Sequence, residues 1–83
     1  MSGRPQLTLV SRSYCHLCAE MEVALGALAE ELQFAVEVVD VDADPRLLAH
    51  YDEWVPVLLH GQTELCHYRL EVSKVRDYLS RIG

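Results

Sequence analysis

The stretch Gln6-Leu7-Thr8-Leu9-Val10-Ser11-Arg12-Ser13-Tyr14-Cys15-His16-Leu17-Cys18 decides the fold, because two backbone periods meet inside it. Gln6 to Ser11 places Leu7 and Leu9 in alternation, adds Val10 and follows Pro5, which reads as a strand. From Leu17 the spacing changes: Leu17, Met21, Ala24, Leu25, Leu28 and Leu32 fall on one face of a helix. Glu20, Glu22, Glu30 and Glu31 lie largely off that stripe. The Cys-x-x-Cys segment therefore sits where a strand hands over to a helix. A thiol in the first turn of a helix faces unpaired amide hydrogens and the positive end of the dipole, and both favour thiolate over thiol. Cys15 reads as the nucleophile. Cys18, three residues on and on the same helical side, can close a small disulfide with it and is expected to be more buried and less reactive. Arg12 and His16 are placed to add positive charge near Cys15.

Working outward, Phe34 to Val41 is short and valine-rich, the profile of a strand buried on at least one face. Asp44-Pro45 follows as a helix start, a capping carboxylate and then proline at the first helical position. A short helix is predicted over about Pro45 to Tyr51, with Leu47, Leu48 and Tyr51 inward. Val55-Pro56-Val57-Leu58-Leu59 reads as a third strand opening at a proline, where the lost donor falls outside the ladder. His60-Gly61 signals a turn of two or four residues, and Thr63 to His67 is the returning strand. Val72, Val75, Leu79 and Ile82 mark a closing amphipathic helix. Strands joined through a long helix run parallel, and a hairpin runs antiparallel. The order βαβαββα thus predicts an α/β fold, a four-stranded mixed sheet with helices on its faces.

With 83 residues, 51% hydrophobic and 24% charged, the chain reads as a single domain over residues 1–83. A domain of this size buries only roughly 60–65% of the surface its unfolded form exposes. The net charge of −6 argues against nucleic acid as a partner, which requires a basic footprint. The charge is uneven: residues 1–19 contain Arg4 and Arg12 and no acid, residues 20–53 carry a net −9, and residues 54–83 a net +1. Carboxylates close to a reactive thiol raise its pKa, so an acid-poor motif suits a reactive cysteine. No stretch approaches the ~18 apolar residues of a membrane helix. The start, Met1-Ser2-Gly3-Arg4-Pro5-Gln6, lacks the apolar region of a secretory signal, so the expected compartment is the cytoplasm, without a membrane partner. Three cysteines, an odd number, point to thiol chemistry or metal rather than to a disulfide scaffold.

Each feature has a plainer reading beside the chemical one. Cys15 and Cys18 could be half of a zinc site completed by Cys66 and His67, although neighbours on a strand point to opposite faces. Cys66 is either a compact hydrophobe at a strand end or a third redox thiol. His50 and His60 read as solvated or structural, and Trp54 either lines a groove or packs under its loop.

Ser11-Arg12, Cys15-His16-Leu17-Cys18, Val39-Asp40-Val41-Asp42 and Val55-Pro56-Val57, taken in this element order, resemble the small bacterial glutaredoxin-like proteins. The resemblance covers nearly the whole chain and implies the three-layer thioredoxin-like, glutaredoxin-type fold. It also implies that Cys15 attacks, that Cys18 resolves the mixed disulfide, and that Pro56 is cis beside them. Val55 would offer backbone hydrogen bonds to a bound thiol peptide, Tyr14 would hold the aromatic position before the motif, and Arg12 would stand where many glutaredoxins have a glutathione-contacting lysine. One departure is substantial. Where glutaredoxins carry Gly-Gly-x-Asp for the γ-glutamyl end of glutathione, this chain has Cys66-His67-Tyr68-Arg69, with added bulk and reversed charge.

The leading expectation is a monomeric thiol–disulfide oxidoreductase acting on a disulfide-containing protein or a small thiol substrate. It needs no metal or organic cofactor, only a reductant such as glutathione or a thioredoxin-type dithiol. The competing expectations are a non-catalytic binding module with a redox-sensitive disulfide, and a metal or iron–sulfur site. Cys18 and the replaced Gly-Gly-x-Asp both count against the last.

Overall fold

The computed structural model describes residues 4–82. Half of the start read for a secretory segment, residues 1–3, lies outside the described residues. The elements are β1 (Gln6–Ser11), α1 (His16–Leu32), β2 (Ala35–Asp40), a 3₁₀ turn (Val41–Ala43), α2 (Pro45–Tyr51), β3 (Val57–His60), β4 (Thr63–His67) and α3 (Val72–Ile82). Apart from the 3₁₀ turn this is the predicted order βαβαββα. The strands form one mixed sheet in the order β2-β1-β3-β4. β1 runs parallel to β2 and antiparallel to β3, and β3 pairs antiparallel with β4. A two-residue turn closes the hairpin, with Gly61 at φ +62°, a conformation that glycine adopts without steric cost.

Strand alternation divides the core between the two sheet faces. Leu7, Leu9 and Leu58 point to one face and pack with Met21, Leu25 and Leu28 of α1, Phe34, and Val75 of α3. Val10, Val57 and Leu59 point to the other and pack with Cys18, Val41, Val55 and the half-buried Leu47, Leu48 and Tyr51 of α2. The thioredoxin-like three-layer arrangement follows, with α1 and α3 on one face and α2 on the other.

The structure differs from the sequence reading in four places, each with a physical reason. The buried stripe of α1 is Cys18, Met21, Leu25 and Leu28, whereas Leu17 and Ala24 are exposed, because the stripe is rotated by one residue at its start. β2 is an outer strand with only β1 beside it, so Glu37 and Val38 stay exposed and only Val36 and Val39 are half-buried. Phe34 and Val41 flank that strand as core residues. β3 begins at Val57, after Pro56, whose nitrogen has no hydrogen to give the ladder.

α1 ends at Gln33, which takes φ +62° as its C-cap while the Phe34 amide donates to the Ala29 carbonyl at 3.1 Å. α2 starts as the sequence dictates: the Asp44 carboxylate accepts from the Arg46 amide at 2.8 Å, with Pro45 at the first helical position.

Candidate functional site

β1 ends at Ser11, and three residues of irregular backbone bring the chain to Cys15, the N-cap of α1. Cys15 has extended backbone angles, and its sulfur accepts the Cys18 amide hydrogen at 3.1 Å. This is the hydrogen bond that a serine or aspartate cap makes with its side-chain oxygen. Cys15 and Cys18 are joined in a disulfide, with Cα atoms 5.1 Å apart. Cys18 is 0% exposed within the α2-side core, while Cys15 is half-buried at its edge. The expected inequality in burial is therefore present: one sulfur within reach of solvent, the other behind it.

The Val55–Pro56 peptide bond is cis, and both residues are buried. Val55 shares the core cluster that contains Cys18 and borders Cys15, so the loop preceding β3 lies on the same side of the sheet as the disulfide. Among the described residues no other backbone group bonds the Val55 N–H or C=O. On the opposite flank, a cleft of about 270 Å³ is lined by Ser11, Arg12, Cys15, Ala19, Glu22 and Val38, among others. Within it the Ser11 hydroxyl donates to Glu22 Oε2 at 3.3 Å. Tyr14 projects into solvent at 99% exposure.

The charges around the motif are arranged differently from the linear count. Arg12 donates from Nε and Nη2 to both carboxylate oxygens of Asp42, at 2.9 and 3.0 Å. Nη2 also reaches Asp52 Oδ1 at 2.6 Å, and Nη1 reaches the Asp52 carbonyl at 3.3 Å. The hydrogen bonds to Asp42, then those to Asp52, raise the guanidinium pKa, and Arg12 in turn holds the Asp42 carboxyl below its usual value. His16 Nε2 lies 2.9 Å from Glu20. The acid-rich middle of the chain thus folds back onto the acid-free start, and both bases that flank Cys15 in sequence carry carboxylate partners.

Cys66 is 2% exposed on β4, and its thiol pKa is pushed up by burial. It belongs to the core on the α1–α3 face, opposite the cluster that holds Cys18. Among the described residues no group of three or more His, Cys, Asp or Glu side chains is gathered as for a metal ion. His67 Nδ1 instead pairs with Glu64 at 2.7 Å, and His60 Nδ1 with the Tyr78 hydroxyl at 2.7 Å. No helix among the described residues is long and apolar enough to cross a membrane.

The sequence leaves Trp54 between lining a groove and packing under its loop, and presents His67 as a candidate zinc ligand and, with Tyr68, as a departure from a glutathione motif. In the structure the three rings meet beside the Val55–Pro56 loop. The sequence signal was their position on either side of β3 and β4, which the hairpin register converts into proximity.

A profile of the Glutaredoxin-like domain (DUF836) matches residues 6–80. Uncharacterized proteins of Mycobacterium bovis and Mycobacterium tuberculosis are 29% identical over 84 aligned positions, covering 95% of this chain and 87% of theirs. A Nitrosomonas europaea protein solved by NMR superposes with a TM-score of 0.81 at 34% identity, over 94% of each chain. Thioredoxin 1 of Thermosipho africanus shares the fold, with a TM-score of 0.64 at 19% identity over 93% of this chain and 97% of its own. By sequence match and by architecture, the chain belongs to the glutaredoxin-like (DUF836) family and has the thioredoxin fold.

Proposed function

We propose that the protein is a thiol–disulfide oxidoreductase that cycles Cys15 and Cys18 between dithiol and disulfide. The observation that carries the reading is Cys15 as the cap of α1, its sulfur accepting an amide hydrogen at 3.1 Å, with buried Cys18 bonded to it. The helix dipole and that N–H both stabilise negative charge on Cys15 sulfur.

In the forward direction the Cys15 thiolate attacks one sulfur of a substrate disulfide. A Cys15–substrate bond forms, the substrate S–S bond breaks, and the departing sulfur leaves as a thiolate that takes a proton from solvent. Cys18, deprotonated, then attacks Cys15 sulfur, forming the Cys15–Cys18 bond and releasing the second substrate thiol. Two electrons pass from the protein dithiol to the substrate, and a cellular thiol reductant, glutathione or a thioredoxin-type dithiol, returns them. The buried Val55–Pro56 loop fits a role in presenting the Val55 backbone groups to an extended substrate, and Tyr14 is accessible enough to contact one. Arg12 acts mainly through its acid pairs, which fix the segment leading to Cys15.

The test is a reduction potential with two variants. A value between about −200 and −270 mV suits exchange with cellular thiols. Cys15→Ser abolishes disulfide reduction, and Cys18→Ser stops at a mixed disulfide visible by mass spectrometry. Undiminished reduction by Cys15→Ser, or a disulfide that cannot be formed reversibly, overturns the proposal in favour of a binding module.

A further inference from the structure

An aromatic patch lies against the loop that carries Pro56. Trp54 stacks over Tyr68 with ring centroids 6.0 Å apart and planes 29° apart. His67 meets both rings edge-on, at 5.3 Å from Trp54 and 4.8 Å from Tyr68. Trp54 is 48% exposed and Tyr68 39%. Large rings left in water as one patch mark contact surfaces, since lone exposed apolar residues carry no such meaning.

Tyr68 is also held in an unfavourable backbone conformation, φ +65°, which a bulky side chain rarely adopts and glycine adopts freely. Its amide donates to the Pro56 carbonyl at 2.8 Å, and its hydroxyl donates to the Glu53 carbonyl at 2.7 Å. Both ends of Tyr68 are therefore tied to the loop beside the disulfide, and the ring is fixed in place. Strained residues of this kind persist where the surroundings over-determine them and concentrate where ligands are gripped.

Next to the patch, a cleft of about 290 Å³ separates α1 from the connection between β4 and α3. Leu17, Met21, Ala24 and Leu70 give it an apolar lining, and Tyr68, Arg69 and Glu20, the last paired with His16, complete the wall. Arg12, His16 and His67 are all paired with carboxylates. Arg69 has no ion-pair partner among the described residues, so it offers positive charge to an incoming group.

We infer that this aromatic shelf selects the substrate of the thiol site: a protein disulfide whose attacked cysteine is flanked by an aromatic side chain and an acidic one. The inference rests on the oxidoreductase reading above. The substrate ring packs on Trp54 and Tyr68, its carboxylate pairs with Arg69, and its sulfur meets Cys15. Glutathione carries no ring and gains nothing from Trp54 and Tyr68. The electron balance is that of the cycle already written: the two substrate sulfurs are reduced to thiols as Cys15 and Cys18 are oxidised to the disulfide.

The test uses reduced protein freed of reductant and follows Cys15–Cys18 oxidation by acid quench, alkylation and mass spectrometry. The oxidants are disulfide-linked dimers of three tetrapeptides, glutamate-phenylalanine-cysteine-glycine, glutamate-alanine-cysteine-glycine and lysine-phenylalanine-cysteine-glycine, and glutathione disulfide. The wild-type protein is expected to react up to about tenfold faster with the first peptide than with the second, the scale of one aromatic contact. Trp54→Ala brings that ratio close to one, Tyr68→Phe preserves it, and Arg69→Glu reverses the preference between the glutamate and lysine peptides.

Equal rates with all three peptides, a ratio that survives Trp54→Ala, or glutathione disulfide as the fastest oxidant each overturn the inference while leaving the oxidoreductase reading intact. A dimer in sedimentation velocity that Trp54→Ala dissociates assigns the shelf to a second copy and also overturns it. If no disulfide oxidises the wild-type protein, the oxidoreductase reading falls and the inference falls with it.

Discussion

Cys66 is the register partner of Leu58 across β3 and β4, and both side chains enter the core on the α1–α3 face, away from the cluster that holds Cys18. The third cysteine is thus separated from the disulfide by the sheet itself. Its packing is that of a small hydrophobe, which matches the plainer of the two readings that the sequence allowed. Cys66→Ala is expected to change the rate of Cys15–Cys18 exchange by less than about twofold, the margin for independent sites. Stopped-flow oxidation of the reduced protein checks this, and a larger change would place Cys66 in the redox pathway.

The raised pKa of Cys66 has a pH signature. The native state keeps a proton that the unfolded chain gives up, so stability is full below the ordinary thiol value of about 8.5 and declines as the pH rises past it. Urea midpoints measured at neutral and alkaline pH, with the disulfide intact, should fall more for the wild type than for Cys66→Ala. Parallel curves for the two proteins would show that burial does not protect this thiol.

Asp42 follows the opposite sign. Its carboxyl is held below its usual value by Arg12, so its contribution is present above the ordinary aspartate pKa of about 3.9 and is lost as the pH falls through the lower native value. Asp42→Asn should therefore reduce stability at pH 7 and flatten the acid limb of the stability curve. The same loss should shrink in about 1 M salt, where the screening length is roughly 3 Å, because the pair is exposed. Thermal melts across pH and salt provide the measurement.

In the reduced protein, iodoacetamide should modify Cys15 well before Cys18, which has no exposed surface in the fold. Peptide mapping after a short pulse at neutral pH reads the ratio directly. Equal labelling would mean that α1 opens at its start when the disulfide is reduced.

Gln33 and Phe34 offer two stability tests of opposite sign. Phe34→Ala removes a ring that is 2% exposed and should cost about 3–5 kcal/mol, a large share of the roughly 4–12 kcal/mol available to a chain of this length. Gln33→Gly relieves a left-handed residue but gives up the Gln33 side-chain bond to the Glu30 carbonyl, for a net gain of about 0.5–1 kcal/mol. Urea denaturation distinguishes the two.

The helices and strands were legible because local chemistry marked them: Asp44-Pro45 opens α2, His60-Gly61 turns the hairpin, and the change of period at Cys15 places the thiols at a helix start. Burial was less legible. Leu17 belongs to the apolar pattern of the sequence yet lines a cleft, because the face that α1 buries is set by the sheet it meets, beginning at Cys18 rather than one residue earlier. Charge was the least legible: Asp42 and Asp52 lie 30 and 40 residues from Arg12 in the chain and within hydrogen-bond reach of it in the fold. The Trp54–His67–Tyr68 contacts were hidden for the same reason, since they depend on the register of β3 against β4.

The grip of Arg12 on Asp42 and Asp52 touches the chain on both sides of α2, one partner in the 3₁₀ turn before it and the other just after its last residue. The segment leading to Cys15 and α2 are thereby expected to open together, which native-state hydrogen exchange would show as shared protection. Opening of α2 is then expected to loosen the backbone in front of Cys15, tying the position of the Cys15 sulfur to the stability of a seven-residue helix.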